Sequence, residues 1–207
     1  MSTTALIIEY LVIGIQAILW LASIILLFFG SDWFNIEKIK GFETIGSFLI
    51  LPILYAIGMF IDTVSDRILE AWTLSIKKKC LQDKSHSVIH LLLKSKDEWL
   101  SSYIDYNRGK LRVLRSSALN FLLISTSLPI ATGLRLQGLL GNHTRFVVGF
   151  EVLLGAALTG LAIWSWKKIT YTFYEHMKTA YDALLSSTET ETSAPGEIKS
   201  FLFITRA

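Results

Sequence analysis

The sequence predicts an all-α polytopic membrane protein, with four transmembrane helices and a central cytosolic helical hairpin. Two observations carry that expectation. First, the 207 residues are 52% hydrophobic with a mean hydropathy of +0.48, and the 18% that are charged cluster between long uncharged blocks. Soluble domains carry about 25% charge. Uncharged runs of about 20 residues are what a hydrocarbon core of about 30 Å requires of a helix. Second, Lys and Arg are shared very unequally among the connections between those blocks.

The blocks are taken in order. Tyr10 to Phe29 holds twenty residues without a charge. The segment before it, MSTTALIIEY, has no basic start, and the apolar run exceeds a signal-peptide core, so a retained anchor is expected. GSDWFNIEKIKGFE ends the first block, and Thr44 to Ile61, which contains Pro52, forms the second. Ser116 to Leu134 is the third block, with Pro129 near its end; RLQGLLGNHTR turns the chain, and Phe146 to Trp166 is the fourth. Helices are expected because the bilayer offers no partner to an unpaired backbone amide, and no ten-residue alternation suggests a barrel.

Orientation follows from the basic residues. The two short connections hold four: Lys38, Lys40, Arg135 and Arg145. The central section and the C-terminal segment hold the other sixteen, which places both of them, and both termini, in the cytosol. Trp164 and Trp166 before Lys167 and Lys168 read as an interface anchor on the cytosolic side, with Trp33 on the other.

The central section is read as helical. Val64, Ile68, Trp72 and Ile76 continue the second span at helical spacing, KKKCLQDKSHS breaks the chain, and a second stretch from Val88 runs through Trp99, Ile104, Leu111, Leu114 and Ala118 into the third span. ITYTFYEHMKTAYDALL also fits a helix, SSTETETSAPGE is a disordered linker by composition, and IKSFLFITRA is an apolar tail suited to docking. The expected division is 1–61, first transmembrane hairpin; 62–115, cytosolic helical section; 116–166, second transmembrane hairpin; 167–207, cytosolic helix, linker and tail.

Charge spacing gives the sharpest site. Asp62, Asp66 and Glu70 form one acidic stripe after the second span, and Arg108, Arg112 and Arg115 form one basic stripe before the third. Antiparallel exit matches them as a ladder, Asp62–Arg115, Asp66–Arg112 and Glu70–Arg108; the alternative is arginine contact with anionic lipid headgroups. Within the spans, Gln16 and Asn120 suit hydrogen bonds between helices. Glu9 is near enough to the inner boundary to reach water. Glu151 lies about two turns inside the fourth span, where a carboxyl is costly. It is open to several roles: binding a proton or cation, lining a pore, pairing with Arg135 or Arg145, or resting hydrogen-bonded in the bundle. Gly155 with Thr159, and Ala156 with Gly160, have the four-residue spacing of a helix-packing face, within the chain or between copies.

No catalytic, cofactor or metal site is expected. His86 and His90 stand four apart near Cys80 and Asp83, but no full zinc-ligand pattern appears; His143 and His176 belong to other segments. Walker, dinucleotide-glycine, GxSxG and HExxH motifs are missing, and so are paired intramembrane aspartates. Asn142-His143-Thr144 matches a glycosylation sequon in a turn too close to the bilayer for that use.

GMFIDTVSDRILEAW and SYIDYNRGKLRVLRSSALNFLL resemble stretches of bacterial inner-membrane proteins. The four-span plan is similar to small membrane components of bacterial antiphage defence systems, such as the membrane partner in Kiwa. The resemblance implies the bacterial inner membrane and a setting in antiviral defence. It transfers no functional residue. The charged hairpin, the small-residue face and the apolar tail favour a non-enzymatic module that forms homo-oligomers and engages a cytosolic protein partner, without direct nucleic-acid binding. The alternative is an oligomeric channel or transporter subunit built around Glu151 and Asn120.

Orientation is testable in a Cys80→Ser background with single cysteines at Ser95, Ser193, Asn35 and Asn142. An impermeant maleimide on intact cells should label the last two and spare the first two. Labelling at Ser95 in sealed cells overturns the orientation.

Overall fold

The computed structural model describes residues 3–30, 43–81 and 98–193. Four long helices account for nearly all of them: α1 (Thr3–Phe29), α2 (Glu43–Leu81), α3 (Glu98–Arg135) and α4 (Thr144–Ser193). All four are long and apolar enough to cross a membrane, and there is no strand among the described residues. The protein is an all-α polytopic membrane protein. Residues 82–97, where the break and the start of the second cytosolic stretch are expected, lie outside the described residues with His86, His90 and Asp83, as do Trp33 and the apolar tail.

The helix ends follow local chemistry. Gly30, at φ 72°, closes α1, and its N–H donates to the Leu26 carbonyl at 2.9 Å; this left-handed position suits glycine. Between α3 and α4 the chain turns through a single helical turn, Gln137–Leu140, and a 3-10 turn, Gly141–His143. The Thr144 hydroxyl there donates to the Gly141 carbonyl at 2.8 Å. Pro52 and Pro129 lie inside helices that continue past them.

Length sets the architecture. α2 has 39 residues, α3 has 38 and α4 has 50, against about 20 needed to span. Each therefore runs without a break from its apolar block into its charged flank, across positions 61/62, 115/116 and 166/167. α4 also continues to Ser193, so residues 186–193, a linker by composition, are helical. The continuing helix overrides the weak local preference of Ser and Thr.

Two cores result. In the spans α1 lies against both α2 and α3, burying Ile13, Ala17 and Ile61 with Trp20, Ile57 and Leu119 around them. Beyond the start of α1, at what we term the charged end, α2, α3 and α4 bury Leu81, Leu100, Phe173, Met177 and Tyr181 together. The surface of the spans is apolar: Phe146 is 78% exposed and Leu153 is 73% exposed. At most 33% of any span is buried within the chain, so most span surface is left to lipid or to other copies.

The crossing of α1 and α2 depends on two glycines. A Cβ on Gly14 would overlap the Leu54 carbonyl, and a Cβ on Gly58 would overlap the Tyr10 carbonyl. The contact is reciprocal and backbone to backbone, which small residues permit in a bilayer. Gly14→Ala and Gly58→Ala should each destabilise the detergent-solubilised protein by about 1–3 kcal/mol, the usual cost of overpacking. Gly138→Ala, with open space around it, is the control. Equal melting temperatures for all three would remove the crossing.

Candidate functional site

Three helices bring their charges together where the spans meet the charged end. Asp62 on α2 is the hub and is only 9% exposed. Its Oδ1 accepts from Arg115 Nη2 at 2.8 Å and from the Ser116 hydroxyl at 3.3 Å, and its Oδ2 faces Arg112 Nε at 3.3 Å. Arg112 also donates to Glu9 Oε2 at 2.8 Å and lies over the Tyr10 ring, 5.3 Å from its centroid. Arg115 reaches a second carboxylate, Asp66. Ser65 and Ser116, both fully buried, share a hydrogen bond of 3.1 Å beneath the charges. Three carboxylates and two guanidinium groups thus join α1, α2 and α3 in one network.

The network departs from the antiparallel ladder. Asp62–Arg115 is present, but Asp66 pairs with Arg115 rather than Arg112, and Glu70 pairs with Arg67 of its own helix at 3.5 Å. Arg108 is exposed and lies outside the network. The reason is α1. Matching α2 against α3 alone ignores Glu9, which enters from the third helix and draws Arg112 toward it. Glu9, expected to reach water, is part of the network. Its signal in the sequence is that it stands at the same boundary as Asp62 and Arg115.

Below the charges the polar contacts continue into the spans. Asn120, fully buried, donates from Nδ2 to the Ile13 carbonyl at 3.0 Å and to Gln16 Oε1 at 3.4 Å. Its Oδ1 accepts from Trp20 Nε1 at 3.1 Å, and Ser117 donates to Gln16 Oε1 at 2.9 Å. Gln16 and Asn120 thereby join α1 to α3. Both groups are engaged with protein rather than directed toward a water path.

Glu151 behaves differently. The Thr132 hydroxyl donates to its Oε1 at 3.0 Å, while its Oε2 is buried without a partner among the described residues. Neither Arg135 nor Arg145 pairs with it. Arg135 instead donates from Nε to the Leu27 carbonyl at 2.8 Å and from Nη2 to the Phe28 carbonyl at 3.4 Å, capping the end of α1. A cation at a helix C-terminus meets both the open carbonyls and the helix dipole, which explains the choice. Arg145 is exposed.

The small residues of α4 divide into two faces. Gly155 and Thr159 are buried in line with Ala162, Trp166 and Thr170 against the rest of the chain, and a Cβ on Gly155 would overlap Ser125. Ala156 and Gly160 point away, with nothing within 4 Å of an added Cβ at Gly160. Among the described residues, only half of the expected packing face is therefore used inside the chain.

At the charged end, His176 Nδ1 meets the Tyr103 hydroxyl at 2.5 Å, while His143 is exposed in the turn. Cys80 lies nineteen residues past the second apolar block and is buried. Burial pushes its thiol up from the ordinary value, and Glu175 adds to the effect.

Fold and site define the class: a polytopic α-helical membrane protein whose first three spans are locked by ion pairs at the boundary. No protein-family model, no curated protein and no solved structure matches the chain.

The lock should show as coupling. Asp62→Asn should cost about 3 kcal/mol, the lower end for breaking a largely desolvated pair. Glu70→Gln should cost no more than about 0.5 kcal/mol, as expected for an exposed pair. In a double-mutant cycle on Asp62 and Arg115, read by chemical unfolding in detergent, additivity within about 0.5 kcal/mol would refute the lock.

Proposed function

We propose that the chain is a non-enzymatic module of the bacterial inner membrane, with both termini in the cytosol, that self-associates and engages a cytosolic protein partner. Its role is that of a sensor or effector, and the resemblance to antiphage membrane components sets it in antiviral defence. The observation that carries the reading is continuity. α2, α3 and α4 run unbroken from the spans into the charged end, so a tilt of the spans is carried into the bundle beyond them.

Two surfaces suit the two kinds of contact. On α4, exposed Ala156 and Gly160 let a second backbone approach in the bilayer. On α2, Ile68 is 59% exposed and Leu74 is 46% exposed beyond the apolar block, where a protein partner would cover them. A second reading, an oligomeric channel or transporter subunit, is favoured by one observation, the unpartnered Oε2 of Glu151.

Self-association is tested in membranes with Cys80→Ser as background. A cysteine at Gly160 should form disulfide-linked dimers on oxidation, and one at Gly155 should not. Ala156→Leu with Gly160→Leu should lower the oligomer mass and abolish protection in a phage plaque assay. An unchanged mass, together with no cross-link at position 160, overturns the reading. If Glu151→Gln alters ion flux in liposomes, the channel reading replaces it.

A further inference from the structure

The arginines at the boundary are neutralised by carboxylates, but among the described residues the lysines beside them are not. Between α3 and α4 a groove of about 340 Å³ is lined by Asn107 and Lys110 on one side and Trp164, Ser165, Lys168 and Thr172 on the other. Lys110 Nζ lies 4.1 Å from the centroid of the Tyr106 ring, and Lys168 Nζ lies 5.3 Å from that of Trp164. Cation–π contact supports an ammonium group without neutralising it. Among the described residues neither lysine makes an ion pair. Two uncompensated positive charges therefore face one groove.

The groove's depth selects its ligand. Lys168 follows the fourth apolar block almost directly, and Lys110 precedes the third by six residues, or about 9 Å along a helix. Lys110 lines the same groove as Lys168, so both ammonium groups stand beside the headgroup layer that Lys168 adjoins. Asn107 is 9% exposed and Ser165 is partly buried, so polar groups line the floor, while Trp164 is 61% exposed on the lipid side. Ile169 adds an apolar wall. Phosphate at the lysines and hydroxyls, with glycerol and acyl chains along Trp164 and Ile169, satisfies every part of that lining.

We propose that this groove binds one anionic phospholipid through its headgroup phosphate. The site goes beyond self-association and partner contact, because it makes the helices sensitive to the charge of the surrounding leaflet. A lipid seated there bridges α3 and α4 at the level where the apolar spans pass into the charged bundle.

The test is native mass spectrometry of the full chain in detergent, titrated with phosphatidylglycerol or phosphatidylcholine. One phosphatidylglycerol should bind at least about tenfold more tightly than phosphatidylcholine. Lys110→Gln with Lys168→Gln should weaken it by about thirtyfold, two surface lysines acting on an anionic headgroup. Lys110→Arg with Lys168→Arg should retain most of the binding, and Lys77→Gln with Lys78→Gln should change it by less than about twofold. Equal binding of the two lipids overturns the site whatever the variants do, and so does an equal loss in the Lys77/Lys78 control. Competition by glycerol 3-phosphate as strong as that by the lipid would assign the groove to a soluble phosphate instead. Oligomer mass is read from the same spectra, so failure of lipid binding and failure of self-association remain separate results.

Discussion

Asp62 is the point at which this fold could not be otherwise charged. It stands where α2 leaves hydrocarbon, largely out of water, and a carboxylate there needs compensation on every side. Arg112, Arg115 and Ser116 supply it. Because Arg112 also holds Glu9, the compensation of one carboxylate fixes the height of three helices relative to one another. The glycine crossing of α1 and α2, and the Asn120–Gln16–Trp20 contacts below, fall into register once that height is set. The order of causes runs from the boundary inward.

The same constraint explains the distribution of polar groups. In hydrocarbon a hydroxyl or amide must find a protein partner. Ser23 and Thr159 return their protons to carbonyls four residues back, and Asn120 finds three partners on α1. Glu151 stands out against that pattern, with one oxygen satisfied by Thr132 and the other by nothing among the described residues. Apolar side chains outside leave a surface that lipid can cover.

Four spans were legible because span length is a property of composition alone, read without knowing what packs on what. The Asp62–Arg115 pair was legible because both residues stand at the edges of neighbouring spans. The rest of the ladder was not, since spacing along two helices is silent about a third. Glu9 is a single acid in an otherwise apolar helix and carries no periodic signal, yet it decides where Arg112 goes. The Gly14 and Gly58 crossing was hidden for a similar reason: the two glycines lie 44 positions apart, and only the fold shows each against the other's helix. On α4 the spacing indicated small-residue faces, but choosing the inward one required knowing where Ser125 lies.

Synthesis order gives the polar contacts of α1 a temporal meaning. Glu9, Gln16, Trp20 and the end carbonyls at Leu27 and Phe28 all find partners on α3, between 100 and 108 positions further along the chain. At ribosomal rates of about 5–20 residues per second, that is an interval of roughly 5–20 s. About halfway through it the first hairpin is fully translated, yet the charged and amide groups of α1 are still without the residues that complete them. The nascent chain must therefore be sheltered, at the insertion machinery or against headgroups, until α3 emerges. Biogenesis of this protein is a matter of waiting, and its most vulnerable species is the half-made chain rather than the finished bundle.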